Sequence, residues 1–174
     1  MINYITGDLI AAAKEAKDIR ILVHSANNLK IAGAGVIIPI FKTWPDASNV
    51  YQNTLAVLGG VSSSKDDNVI VCNLIGQEGI GRDKRNEPCV RLWAIEKGFR
   101  KIRNIYDSYK KNGHKVRVMI PRICVGLGGL QPNKWPRVLQ AINNGMPLGP
   151  YNLDVYTLEK EAKKFPNTPL RDLL

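Results

Sequence analysis

The segment Lys115-Val116-Arg117-Val118-Met119-Ile120 alternates and then turns apolar, as a buried strand does. It runs into Pro121-Arg122-Ile123-Cys124-Val125-Gly126-Leu127-Gly128-Gly129-Leu130, and from Asn133 to Ile142 apolar residues recur at helical spacing. A strand that stops in three glycines and restarts as a helix belongs to a sheet covered by helices. Glycine allows positive φ and close approach to a ligand. Bare amides at a helix N-terminus favour an anion, phosphate above all. A tight strand-to-helix turn without a ligand fits the same residues.

The rest of the chain has the same alternation. Ile2 to Ile5 reads as a short strand ended by Thr6-Gly7-Asp8, and Leu9 to Ala16 as a short helix. Asp18 to Val23 is a central strand running into the polar cluster His24-Ser25-Ala26-Asn27-Asn28. A second glycine loop, Gly33-Ala34-Gly35, opens a helix over Val36 to Phe41, where Pro39 falls in the first turn. Pro45-Asp46 interrupts the run before a helix from Ala47 to Leu55. Val57 to Ser62 and Asn68 to Leu74 read as strands around a turn at 63–67, and Ile75 to Glu87 as a long loop. Pro88 opens a helix whose Ile95, Phe99, Ile102 and Tyr106 share one face and which Asn112-Gly113 ends. A last strand, Leu153 to Leu158, precedes a basic tail, 159–174. The expected fold is a three-layer α/β/α sandwich on a central mixed, mostly parallel sheet, in one domain spanning 1–174.

Bulk properties narrow the function. A chain of 174 residues can bury a core, and 44% hydrophobic with 23% charged residues is globular. Apolar runs of about 20 residues are missing, so no membrane span is expected, and the N-terminal residues do not read as a signal peptide. Cys72, Cys89 and Cys124 are odd in number and scattered, which fits a reducing cytoplasm and neither a disulfide frame nor a metal site. The net charge of +10 favours a phosphate-bearing ligand or weak polyanion binding through the basic surface. Neither glycine loop is a Walker A or a G-x-G-x-x-G loop. Both fall where such sheets bind ligands, beyond the strands' carboxyl ends, and together they suit a diphosphate.

Five segments in order resemble macro domains: Thr6-Gly7-Asp8-Leu9, Val23 to Asn27, Gly33-Ala34-Gly35-Val36, Pro121 to Leu130, and Val155-Tyr156-Thr157-Leu158. Within that family the chain is most similar to the branch of ADP-ribose-1''-phosphate phosphatases and single-domain ADP-ribosyl hydrolases, with its phage and bacterial relatives. The resemblance implies a monomer that binds ADP-ribose or an ADP-ribosylated target, with no cofactor. On it, Asp8 accepts from the adenine amino group beside Leu9, and Asn27 holds the distal ribose. Gly33, Ala34, Gly35 and Val36, with Cys124, Val125, Gly126, Leu127, Gly128, Gly129 and Leu130, form the two diphosphate loops. Tyr156 is a wall for adenine or, equally, a core tyrosine.

The departures bear on activity. His24 stands where many macro domains carry asparagine, and a histidine there could serve as acid or base, with Asn27 beside it, for hydrolysis of a distal-ribose phosphate or ester. A buried structural histidine fits too. Ala32 replaces a histidine of some members, Val36-Ile37 lacks the aspartate of one hydrolase type, Gln77 stands nearest the lysine of another, and Gly128 replaces an ester-hydrolase aspartate. The alternatives are a non-catalytic ADP-ribose reader and a basic nucleic-acid-binding protein.

Overall fold

A computed structural model describes residues 1–165 and 167. Its strands are β1 (Ile2–Thr6), β2 (Ile19–Asn27), β3 (Val61–Asp66), β4 (Val69–Arg82), β5 (Pro88–Val90), β6 (Val116–Pro121) and β7 (Leu153–Thr157). The helices are α1 (Leu9–Lys14), α2 (Ile37–Thr43), α3 (Pro45–Asn53), α4 (Leu92–Lys111), α5 (Trp135–Gly145) and α6 (Glu159–Ala162). All seven strands join one sheet in the order β1-β7-β6-β2-β4-β3, with β5 paired to β4. The β1–β7, β7–β6, β6–β2 and β2–β4 pairs are parallel, whereas β3 and β5 run antiparallel to β4.

Strand alternation sorts the core into two layers. Ile21, Val23, Cys72, Leu74, Val118, Ile120 and Val155 face α4 and α5, where they meet Phe99, Ile102, Trp135 and Leu139. Leu22, Val71 and Met119 face the other way, against Leu9, Ala13, Ile40 and Trp44 of the α1–α3 layer. The sheet is therefore covered on both faces, as the β–α alternation requires. The apolar stripe read on α4 is buried at each of its four positions.

Several boundaries differ from the sequence reading, each for a physical reason. Residues 24–27 prolong β2 instead of ending it, because their backbone keeps pairing with β4 as far as Asn27 opposite Gln77, with His24 bonded to Asn73 across the pair. Pro45 opens α3 at a first-turn position, where its missing N–H costs nothing. The serines of β3 form an edge strand, and the turn shrinks to Asp67-Asn68 with Asp67 at φ 47°. Residues 75–87 are not a free loop: β4 continues to Arg82, and β5 returns along it from Pro88, so α4 begins only at Leu92. The glycine loop does not feed α5 directly. Gly126–Gly128 form a 3-10 turn, Pro132–Lys134 a second, and α5 starts at Trp135. Of the basic tail, α6 and the residues to 165 with Asn167 are in place, and Pro166 and 168–174 lie outside the described residues.

Candidate functional site

The chain leaves β2 toward α2 and α3 on one face of the sheet and leaves β6 toward α5 on the other. Since β2 and β6 are neighbours, their diverging connections open a crevice at their carboxyl ends, the place where sheets of this kind bind ligands.

Asn27 organises the loop after β2. Its Oδ1 accepts from the amides of Leu29 and Ile31, both at 3.1 Å, and its Nδ2 donates to the Ile31 carbonyl at 2.8 Å. The Tyr51 hydroxyl donates to the Asn27 carbonyl at 2.7 Å. A β-bulge between Ala26 and Asn27 brings Asn27 opposite Gln77, and the bulge is set by Gly76, whose hydrogen faces Ile95 and the Ser25 Oγ where a Cβ would collide. Beyond this stapled turn, Gly35 sits at φ 77° and opens α2.

The loop after β6 is rooted by Arg122. Its guanidinium lies 4.6 Å from the Tyr4 ring centre, 4.8 Å from that of Trp135 and 5.5 Å from that of Phe165. Its Nε donates to Thr157 Oγ1 at 2.9 Å and its Nη2 to Asn167 Oδ1 at 2.6 Å. Cys124 follows at φ 68°, its thiol pushed up to about 12 by burial. The loop then curls on itself: Gly126 donates to the Leu130 carbonyl, Leu130 to that of Cys124, and Gly129 to that of Gly126. Gly129, at φ 93°, lies so close to the Gly81 carbonyl of the β4–β5 hairpin that a Cβ would collide with it. Arg82 donates to the Gly129 carbonyl at 3.4 Å from the same hairpin.

The two glycine loops meet. Leu127, 69% exposed, reaches over so that a Cβ on Gly35 would lie 3.1 Å from its Cδ1. Neither 28–36 nor 122–131 contains an aspartate or glutamate.

Asp8 follows β1 and caps α1, its Oδ1 accepting from Ile10 at 2.7 Å and Ala11 at 3.2 Å; the residue is exposed. Leu9 turns into the core. Tyr156, half-buried at the end of β7, packs on the α1 side, and burial, then the charge of Asp154, raises its pKa. Asp8 and Asn27 thus stand at the ends of strands three places apart, ~14 Å across the sheet at the usual spacing.

His24 is 0% exposed. Asn73 donates its amide to the Ala47 carbonyl at 2.9 Å and to Ser62 Oγ at 3.2 Å, so its Oδ1 is the acceptor for His24 Nε2–H at 2.6 Å. That fixes the neutral tautomer with the proton on Nε2. Nδ1 is buried without a hydrogen-bond partner, and the ring stands edge-on to Phe41 at 5.6 Å. Burial pushes the imidazole pKa down to about 4. The neutral pKa that made His24 attractive as a proton carrier is therefore not the one its surroundings impose.

Among the described residues no three His, Cys, Asp or Glu side chains gather to hold a metal ion. No helix among them is long and apolar enough to cross a membrane. Two cavities of about 220 and 210 Å³ lie away from the glycine loops, one at the amino ends of β2 and β6 and one beside Tyr51 and Leu55.

The mixed seven-stranded sheet covered by helices is a macrodomain-like α/β fold. No protein-family model matches the sequence, and no curated protein matches it. Solved structures do. One is a protein of unknown function from Bacteroides thetaiotaomicron, 26% identical, with a TM-score of 0.75 over 91% of this chain and 98% of that one. A macrodomain protein from Streptomyces coelicolor is 25% identical, with a TM-score of 0.69 over 90% of this chain and 99% of that one. DarTG from Thermosipho africanus, solved in complex with ADP-ribose, is 19% identical with a TM-score of 0.66, and the match covers 99% of this chain and 44% of that one.

Proposed function

We propose that the protein binds ADP-ribose, free or attached to a macromolecule, in the crevice between the two glycine loops, and that it is a reader of that group. The observation that carries this reading is the meeting of the loops at Gly35 and Leu127, neither loop containing a carboxylate, which suits a diphosphate held by backbone amides. Asp8 keeps Oδ2 for an adenine amino group, since only Oδ1 caps the helix. Asn27 keeps one Nδ2 hydrogen for a ribose hydroxyl. The complex of Thermosipho africanus DarTG with ADP-ribose, on the same fold, supports the ligand class.

Hydrolysis of a distal-ribose phosphate or ester has weaker support. His24, its intended acid–base, has no exposed surface and is held neutral, and the loops supply no carboxylate in its place.

The test is a melting curve with ADP-ribose, joined to a turnover assay on ADP-ribose-1''-phosphate and acetylated ADP-ribose. At about 100 times its dissociation constant a ligand adds ~2.7 kcal/mol, which raises the midpoint by roughly 5–10 °C at this size. No shift at millimolar ADP-ribose overturns the binding reading. Turnover at an ordinary enzymatic rate, about 1 s⁻¹ or more, overturns the reader.

A further inference from the structure

One exposed side of α4 carries charge of one sign. Trp93, Lys97, Lys101, Asn104, Ser108 and Lys111 recur at three- and four-residue spacing, and all are exposed. They form a strip along one side of the helix, ~27 Å long at 1.5 Å per residue. The acids of the helix lie to one flank and are engaged. Glu96 pairs with Arg100, and Asp107 pairs with Arg103 and accepts from Tyr151. Lys97, Lys101 and Lys111 make no ion pair with a described residue, so their charge faces solvent uncompensated.

The head of the strip is unusual. Trp93 is 55% exposed, whereas Trp44 and Trp135 are 5% and 0%. Behind it the surface is shaped, not loose: the Lys97 stem lies over Gly59, where a Cβ would come within 2.6 Å of its Cδ. Lys101 borders the cavity of about 210 Å³ lined by Leu55, Val57 and Ile75.

We propose that this face binds single-stranded nucleic acid, with a base stacked on Trp93 and successive phosphates on Lys97 and Lys101. An aromatic platform followed by a track of cations is the combination such ligands require. The net charge of +10 complements a polyanion. A membrane surface would call for several apolar side chains along the strip; on α4 Trp93 is the only large one exposed, and the exposed Leu55 and Val57 sit apart from it at the cavity beside Lys101. The face does not depend on the ADP-ribose reading, because it lies on a helix flank and not between the glycine loops.

The experiment titrates an unmodified oligothymidylate of about 16 nucleotides into the protein, following tryptophan emission and, with labelled strand, anisotropy at several salt concentrations. Stacking quenches the emission of the one exposed tryptophan. Trp93→Ala weakens binding by about tenfold or more and removes the quench, while Trp93→Phe stays within a few fold of wild type. Replacing Lys97 and Lys101 together by glutamine lowers the slope of log affinity against log salt by about 1.4, two phosphates' worth. Equal affinity in Trp93→Ala, an unchanged slope in the double variant, or binding of heparin or an acidic peptide as tight as that of the oligonucleotide each overturns the proposal. ADP-ribose is absent throughout, so this outcome and that of the melting test are separable.

Discussion

A buried imidazole that bonds through one nitrogen and leaves the other bare prefers to be neutral, and that preference is a term in stability. Unfolded, His24 binds a proton as pH falls through its ordinary value of 6.5; folded, it does so only near 4. Between those values the unfolded state carries the extra proton, so this contribution is complete above pH 6.5 and drains away as pH falls toward 4. Its size is on the order of 3 kcal/mol. Urea unfolding at pH 7 and pH 4.5 should therefore show a smaller loss in His24→Gln, which keeps a donor for Asn73 Oδ1, than in wild type; parallel losses would mean that His24 is not held as described. Asn27 makes a similar point about double duty. Three loop hydrogen bonds depend on its amide, so Asn27→Ala should cost about 1–3 kcal/mol without any ligand present. A mutant as stable as wild type in denaturant would assign that amide to ligand alone. The duty of Asn27 to its own loop was not legible in advance, whereas a buried structural histidine is one of the two readings that the sequence leaves open for His24. Residue type named Asn27 and His24 as chemically special, but whether an amide serves a ribose or its own chain depends on where residues 29 and 31 double back.

Among the elements, those with one strong periodic signal lie where that signal puts them. The four-point stripe of α4 and the apolar cores of β2, β4 and β6 fall where hydrophobic spacing puts them. The β4–β5 hairpin was missed because its strands leave the core: Gly76, Gly79 and Gly81 with charged neighbours resemble a loop, and Pro88 resembles a helix start. Ser62-Ser63-Ser64 likewise resembles a turn, yet pairs along β4 as an edge strand. The hairpin is what props the second glycine loop, through the tight approach of Gly129 to Gly81. Gly129→Ala meets both an adverse φ and a collision, whereas Gly126→Ala, at φ 69° in open space, meets only the adverse φ. Thermal unfolding should rank Gly129→Ala as the more damaging by at least about 1 kcal/mol, the scale of an overpacked contact. Equal effects would show that the hairpin yields.

At the scale of the whole molecule, the three-layer arrangement and the crevice at the β2–β6 divide follow from the β–α order that the sequence displays. The segments that resemble macro domains lie around that divide: the two glycine loops flank it, after β2 and after β6, and Tyr156 and Asp8 follow beyond β6, at the ends of β7 and β1. What the sequence hid is how the second loop is moored. Arg122 is gripped by Tyr4 from the first strand, Trp135 from α5, and Phe165 and Asn167 from beyond the last strand. Parts of the chain more than 160 residues apart in order thus share a single guanidinium, two residues from Cys124, where the loop makes its first left-handed bend. Phe165 and Asn167 are in effect a tether on the root of the second loop. A binding partner that drew Phe165 aside would slacken the loop without entering the crevice, and one that pressed it home would hold the loop in place.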